Sequence, residues 1–203
     1  MKGTKYMENK IQIKKFLTYT PPWFHILIDN EKIIKDLQKM ASNFNSVEVI
    51  IIEGKKCKTK RFLLEEFSKK LEFPDYFGNN WDAFDECITD LEWLPADHYI
   101  VVIKNAINIL SDDEKELDNF VKILNSTVEY MATRSKEHSA GSSVSFHMIF
   151  LCESENGSLL NRIHNLNSLE IILSSLHRLH APSLAKSTNK SPTPETPKTV
   201  FPK

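Results

Sequence analysis

Phe73-Pro74-Asp75-Tyr76-Phe77-Gly78-Asn79-Asn80-Trp81-Asp82-Ala83-Phe84-Asp85-Glu86 decides how the chain is read. Pro74 ends whatever helix precedes it, because the residue before a proline is pushed out of the helical region. Gly78 marks a tight turn. From about Asn79 to Leu91 the pattern is helical again. Upstream, Thr59 to Leu71 places Phe62, Leu63, Phe67 and Leu71 at helical spacing, with Glu65, Glu66, Lys69 and Lys70 outside them. The quoted stretch is therefore the loop between two helices and the start of the second.

Further outward lie two apolar runs. Val47-Glu48-Val49-Ile50-Ile51-Ile52 is β-branched and stops at Gly54, and His98 to Lys104 holds Ile100, Val101, Val102 and Ile103 in sequence. A run that is apolar on both faces suits an interior parallel strand. Trp23 to Ile28 reads as a short buried strand. Asp29 or Asn30 is a candidate cap for a helix carrying Ile33, Ile34, Leu37, Met40 and Ala41. Ser111-Asp112-Asp113-Glu114 fits a capping box opening a helix with Leu117, Phe120, Val121 and Leu124. Ser145 to Leu151 is a further strand, and residues 158–179 read as a last helix.

Strands alternating with helices mean parallel β-α-β units. The expected fold is α/β: a small parallel sheet of four strands (24–29, 47–53, 98–104, 145–151) with helices packed against it. Residues 1–46 form an N-terminal extension with a strand and a helix, and residues 47–152 the main domain. Residues 153–180 form a helical extension. Residues 181–203, rich in Pro, Ser, Thr and Lys, read as a disordered tail.

Charge is segregated along the chain. Residues 1–46 carry a balance of +4, residues 47–131 of −8 and residues 132–203 of +3, inside a formal total of −1. Between Leu71 and Ile103 there are eight acidic residues and no lysine or arginine. On a helical wheel Asp82, Asp85, Glu86 and Thr89 gather on one side of the 79–91 helix, and Ala83, Phe84, Cys87, Ile88 and Leu91 on the other. The apolar side packs, and the carboxylates face outward together. Asp82 and Glu86 are a like-charge i,i+4 pair, which opposes the helix by a few tenths of a kcal/mol. Tyr76 and Phe77 are expected at the surface beside them. An outward negative field with adjacent aromatics suits a cationic protein partner.

Here the residues resemble a family. Pro74-Asp75-Tyr76-Phe77-Gly78-Asn79-Asn80-Trp81-Asp82-Ala83-Phe84 is similar to the loop and acidic helix of barstar, the intracellular inhibitor of a secreted ribonuclease. The resemblance covers Val47 to Cys152 and is most specific over Phe73 to Thr89. It implies a protein that plugs a basic nuclease active site, its carboxylates standing where RNA phosphates would bind. The contacts it implies fall on Tyr76, Asn80, Asp82, Glu86 and Thr89, and Asp85 lies on the same face. Asn80 has two readings, a partner contact or a brace for the loop. Four positions depart from the family pattern. Glu86 stands where an aspartate is usual, Asp85 where a tryptophan stands, and Asp90-Leu91 where Gly-Trp follows the threonine.

Other chemistry fits less well. Asp82 and Glu86 could be an acid and base, but nothing in the sequence buries either one, so no catalytic residue is assigned. No glycine-rich phosphate motif occurs, and no cofactor is expected. His177 and His180 are three apart without a further ligand nearby, so no metal is expected. Cys57, Cys87 and Cys152 read as small core thiols. No apolar stretch approaches the ~18 residues of a membrane helix, and Trp23–Ile28 is too short for a secretory core, so a cytoplasmic protein is expected. Three functions remain open: first a ribonuclease inhibitor without direct contacts to nucleic acid or membrane, second a module of the same fold binding a cationic partner that is not a nuclease, and last an enzyme that uses the carboxylates.

Overall fold

The parallel strands expected at 47–53 and 98–104 pair residue for residue, Val47 opposite His98 through Glu53 opposite Lys104. This computed structural model describes residues 13–137, 144–153 and 157–173. In chain order the elements are β1 (Phe24–Ile28), α1 (Lys32–Ala41), β2 (Val47–Glu53), α2 (Lys60–Lys70), α3 (Trp81–Asp90), β3 (His98–Lys104), α4 (Leu117–Glu137), β4 (Ser145–Cys152), α5 (Gly157–Ile163) and β5 (Leu169–Leu173). Five strands make one sheet in the order β2-β3-β4-β1-β5, and every pairing is parallel.

Side chains alternate across the sheet with a period of two. One face gives Ile52, Val101, Ile103, Met148 and Phe150 to a core closed by Leu63, Leu64 and Phe67 of α2, Phe84 and Ile88 of α3, and Phe120 and Leu124 of α4. The other face gives Leu27, Ile100, Val102, Ile149 and Leu151 to a smaller core. Ile34, Leu37 and Ala41 of α1 close it, together with Ile13 and Phe16 of a 3-10 turn. Covering both faces is what permits β3 and β4 to be apolar along their whole length.

The structure departs from the expectations in several places. The sheet has a fifth strand. The single helix expected over 158–179 is instead α5 followed by β5, with residues 174–179 outside the described residues. The asparagines divide it: the Asn167 amide donates to Asn125 Oδ1 at 2.8 Å, Asn167 Nδ2 donates to Glu129 Oε1 at 2.8 Å, and Asn125 Nδ2 donates to the Asn165 carbonyl at 2.9 Å. Leu169–Leu173 then satisfies its backbone on β1, with Glu170 opposite His25. The N-terminal strand is interior, between β4 and β5. The capping box at 111–114 does not form. A 3-10 turn at Glu114–Glu116 leads into α4, while Asp113 Oδ2 accepts from the first helical amide of α2, Lys60, at 3.3 Å.

Local joints follow the chemistry. Gly54 ends β2 where a Cβ would stand 2.4 Å from the Lys104 carbonyl oxygen, so only glycine allows this approach. Lys104 Nζ bridges Glu31 Oε2 at 3.0 Å and Glu53 Oε2 at 2.9 Å, tying α1, β2 and β3 at one end. Asn30 Oδ1 accepts from the Lys32 amide at 2.9 Å at the start of α1. Arg162 of α5 donates to the Ile107 and Ile109 carbonyls after β3. The expected tail at 181–203 lies outside the described residues.

Candidate functional site

Asn80 starts the acidic helix. Its extended backbone (φ −133°) and its Oδ1, which accepts from the Ala83 amide at 3.0 Å, make it the N-cap, and Nδ2 reaches the Gly78 carbonyl at 3.3 Å. Both ends of its side chain therefore brace the loop. Ahead of it the Phe77 amide donates to the Pro74 carbonyl at 2.9 Å, closing a turn. That turn sends neighbouring aromatics opposite ways. Phe77 is buried against Phe73 with ring centroids 5.0 Å apart, which corrects its expected exposure, whereas Tyr76 is 72% exposed. Trp93 backs the loop by donating from Nε1 to the Leu71 carbonyl at 2.8 Å.

α3 packs through Phe84, Cys87 and Ile88. Phe84 lies 5.3 Å from Phe67 and 6.2 Å from Phe120, centroid to centroid. Trp81 is pinned at the start of the helix. Its Nε1 donates to Glu116 Oε2 at 2.7 Å, and the Lys60 ammonium stands 5.2 Å from its ring. With this face fixed, Asp82, Glu86 and Asp90 are exposed, and Asp85 and Thr89 are half-buried.

These five residues form one wall of a shallow groove of about 530 Å³, and Ser126 and Tyr130 of α4 line the other side. The sequence reading missed Ser126 and Tyr130. Their i,i+4 spacing put them on one stripe of α4, but which helix faced that stripe was a tertiary fact. Among the described residues no ion pair engages Asp82, Asp85, Glu86 or Asp90. Burial, then the neighbouring Asp82, pushes the Asp85 carboxyl above the ordinary range, with Lys122 of α4 opposing. The Tyr76 phenol is also pushed up, by loss of solvation and then by Cys87, Glu86, Asp90 and Glu92. Tyr76 is thus within electrostatic reach of Glu86, Asp90 and Glu92. No basic residue sits in the last turn of α3 to meet the negative end of its dipole.

Asp82, Asp85, Glu86 and Thr89 are thus gathered on one surface, and Asn80, itself exposed, caps the helix that carries it. Such a ridge can accept charge-assisted hydrogen bonds from arginine, lysine or protonated histidine. The cysteines offer no nucleophile: all three are buried and free, and burial raises the Cys57 thiol to about 12 and the Cys152 thiol to about 11. Among the described residues no group of three His, Cys, Asp or Glu is placed to hold a metal, and no helix is long and apolar enough to cross a membrane. His177 and His180 lie outside the described residues.

A parallel sheet carrying an outward acidic helix and an aromatic loop defines the class, and comparison shows what part of the chain is similar to. Residues 47–143 match the family described as Barstar (barnase inhibitor). A Bacillus subtilis (strain 168) protein named "Putative ribonuclease inhibitor YrdF" is 29% identical over 89 residues, covering 37% of this chain and 94% of the relative. Residues 47–143 are thus similar to that family, and the chain has a second likeness in this relative. Among solved structures, the Aeropyrum pernix ORC2 protein in its ADPNP-ADP complexes superposes with a TM-score of 0.45 at 7% identity, over 84% of this chain and 50% of that one. Drosophila ORC bound to AT-rich DNA and Cdc6 gives 0.37 at 10% identity, over 80% and 57%. The chain spans about half the length of these two structures, and at such scores the likeness carries no argument.

Proposed function

We propose that this protein is an intracellular, stoichiometric inhibitor of a ribonuclease, of the immunity type, which blocks the nuclease active site with its acidic loop and helix. The observation behind this reading is a set of carboxylates, Asp82, Asp85, Glu86 and Asp90, that share one surface and pair with no cation of the described residues. A ribonuclease must present cationic side chains to RNA phosphates. Asp82 and Glu86 meet those cations in the phosphates' place. Tyr76 covers the rim of the cleft, Thr89 adds a hydrogen bond, and Asn80 acts indirectly by holding the loop. The protein itself carries out no reaction.

The test is a titration with the partner purified on the intact chain from its own cell. Truncating one member of a desolvated charge pair lowers affinity by about 2–5 kcal/mol. Asp82→Ala and Glu86→Ala are expected to lose that much, while Glu48→Ala, which removes the same charge from exposed β2, stays near the parent. Equal, small effects from all three would remove the ridge from the interface. The departures at Asp85, Asp90 and Leu91 favour a second reading. In it the same ridge binds a cationic partner that is not a nuclease. Co-expression separates the two, since only a cognate ribonuclease kills host cells alone and spares them with this protein.

A further inference from the structure

Just before the acidic stretch the charge has the opposite sign. Residues 55–70 hold seven lysines and arginines and two acids, whereas from Leu71 to Ile103 there are eight acids and no lysine or arginine. The basic set surrounds a concavity of about 470 Å³ beside α2, lined by Lys55, Lys56, Lys58 and Lys69 around Phe62. Phe62 is outside because of where it falls on α2. Leu63, Leu64 and Phe67 take the buried side of that helix, and the Phe62 ring is left half exposed. Tyr130 lines the acidic groove in the same way, and Tyr76 is within electrostatic reach of Glu86 and Asp90. These three are half of the six large apolar side chains that the described residues expose, so bare apolar area accompanies the charge at both surfaces.

The acids inside the basic groove are already engaged. Glu65 Oε1 accepts from Arg61 Nε at 2.8 Å. Glu66 is buried, accepts from the Glu53 amide at 3.3 Å and lies 3.8 Å from Lys56 Nζ. Asp112 Oδ1 accepts from Ser111 Oγ at 3.0 Å. Among the described residues no ion pair engages Lys55, Lys58 or Lys69. Each surface therefore leaves charges of one sign unmet, and the two signs are opposite. Within one chain they do not meet. Lys60 holds its ammonium 5.2 Å from the Trp81 ring of α3. Phe62, two residues further on, is turned about 200° from Lys60 round the helix. The basic groove thus opens on the flank of α2 that faces away from α3.

We propose that the basic groove of one copy of this protein takes the acidic ridge of a second copy, head to tail, with Phe62 of the groove set against the exposed Tyr76. A second copy fits as the occupant because its carboxylates and its bare aromatic complement the lysines and the phenylalanine, and because every groove comes with one such ridge. The contact is heterologous. Each pair leaves one groove and one ridge free, so association extends as concentration rises. A concavity of this size takes only a few side chains, and exposed ion pairs are individually weak, so the assembly is weak and sensitive to salt. It requires only an open ridge, whatever else binds there. A cationic partner held by Asp82 and Glu86 excludes it, a consequence that alone rests on the function proposed above.

Sedimentation equilibrium on the full chain, with no partner present, tests this. The parent should exceed the monomer mass as its concentration rises to about 1 mM at about 20 mM salt, and its dissociation constant should rise about tenfold or more by about 0.5 M salt. Lys58→Gln/Lys69→Gln disables the groove, and Asp82→Asn/Glu86→Gln disables the ridge. All four side chains are exposed, so both variants keep the fold. Each variant alone should stay monomeric. Mixed in equal amounts they should form a one-to-one pair and stop there, since each holds the surface that the other lacks. A monomeric parent, a variant that associates as the parent does, or a mixture that stays monomeric would overturn the contact. None of these results bears on the ribonuclease reading, whose titration has the partner present.

Discussion

Asn80 shows what a single side chain does for this surface. Its oxygen meets one of the amides that a helix start leaves unsatisfied, and its nitrogen closes the loop onto Gly78. Replacing an N-cap asparagine by alanine destabilises by about 1 kcal/mol, which in a domain of this size is a fall in Tm of about 2–4 °C. Asn80→Ala should show that fall by calorimetry. Asn80→Asp should show a smaller fall, because an aspartate oxygen still accepts from the Ala83 amide although its other oxygen cannot donate to the Gly78 carbonyl. Both variants should bind the partner more tightly than Glu86→Ala does. If Asn80→Ala instead leaves Tm unchanged and removes binding, the side chain belongs to the interface and not to the loop. The same scale separates what the sequence disclosed from what it withheld. The outward set Asp82, Asp85, Glu86 and Thr89 was legible because a helical wheel needs only local spacing. The inward turn of Phe77 was not, since Tyr76 and Phe77 differ only in which one the Pro74–Phe77 bond aims at Phe73. Ring nitrogens of His25 and His147 meet at 3.0 Å across 122 residues of sequence, and no spacing rule reaches that far.

At the scale of the element, α3 is a helix placed against its own electrostatics. Asp82 lies in its first turn, where the dipole favours it, but Glu86 and Asp90 follow on the same side with no cation in the last turn. Asp90 is exposed at the end where a positive charge is preferred. Asp90→Lys should therefore stabilise the fold, by about 0.3–1 kcal/mol from the dipole at low ionic strength, with a smaller gain from relieved repulsion. In the proposed complex the same change places a cation opposite cations and should weaken binding. A rise in Tm accompanied by a loss of affinity is the expected pair of results. A gain in both would mean that the C-terminal half of α3 lies outside the interface. Elements also differ in how far their own residues specify them. β2 was readable because its β-branched run stops at a glycine with a steric reason to be there. β5 was not, because Leu169-Glu170-Ile171-Ile172-Leu173 continues a helical-looking stretch and becomes a strand by pairing with the edge that β1 offers. The groove wall from α4 was hidden for a related reason. Ser126 and Tyr130 gain their place from how two helices pack, which neither helix encodes alone.

Over the whole molecule the charges are sorted. The acidic groove of Asp82, Asp85, Glu86 and Asp90 lies between α3 and α4, while a second concavity of about 470 Å³ beside α2 is lined by Lys55, Lys56, Lys58 and Lys69 around Phe62, which is 50% exposed. Glu65, Glu66 and Asp112 share that second groove, and Lys56 reaches Glu66 at 3.8 Å, so its positive character is partly neutralised at home. The acidic ridge has no such internal relief among the described residues. A near-neutral chain whose described residues include an uncompensated acidic ridge acts on a distant cationic partner mainly through that ridge. Steering of this kind raises the association rate and is screened once the Debye length, about 8–10 Å at physiological salt, falls below the approach distance. The association rate measured by stopped flow should therefore fall about 10–100-fold between 10 mM and 0.5 M salt. The dissociation rate, governed by contacts already desolvated, should change much less. Asp82→Asn keeps the shape of the ridge and removes one charge, so it should flatten the salt dependence of association, whereas Glu48→Gln on β2 should leave the slope nearly as it is. An association rate indifferent to salt would mean that the partner is captured by shape and apolar contact around Tyr76 and Tyr130, and that the carboxylates act only after docking.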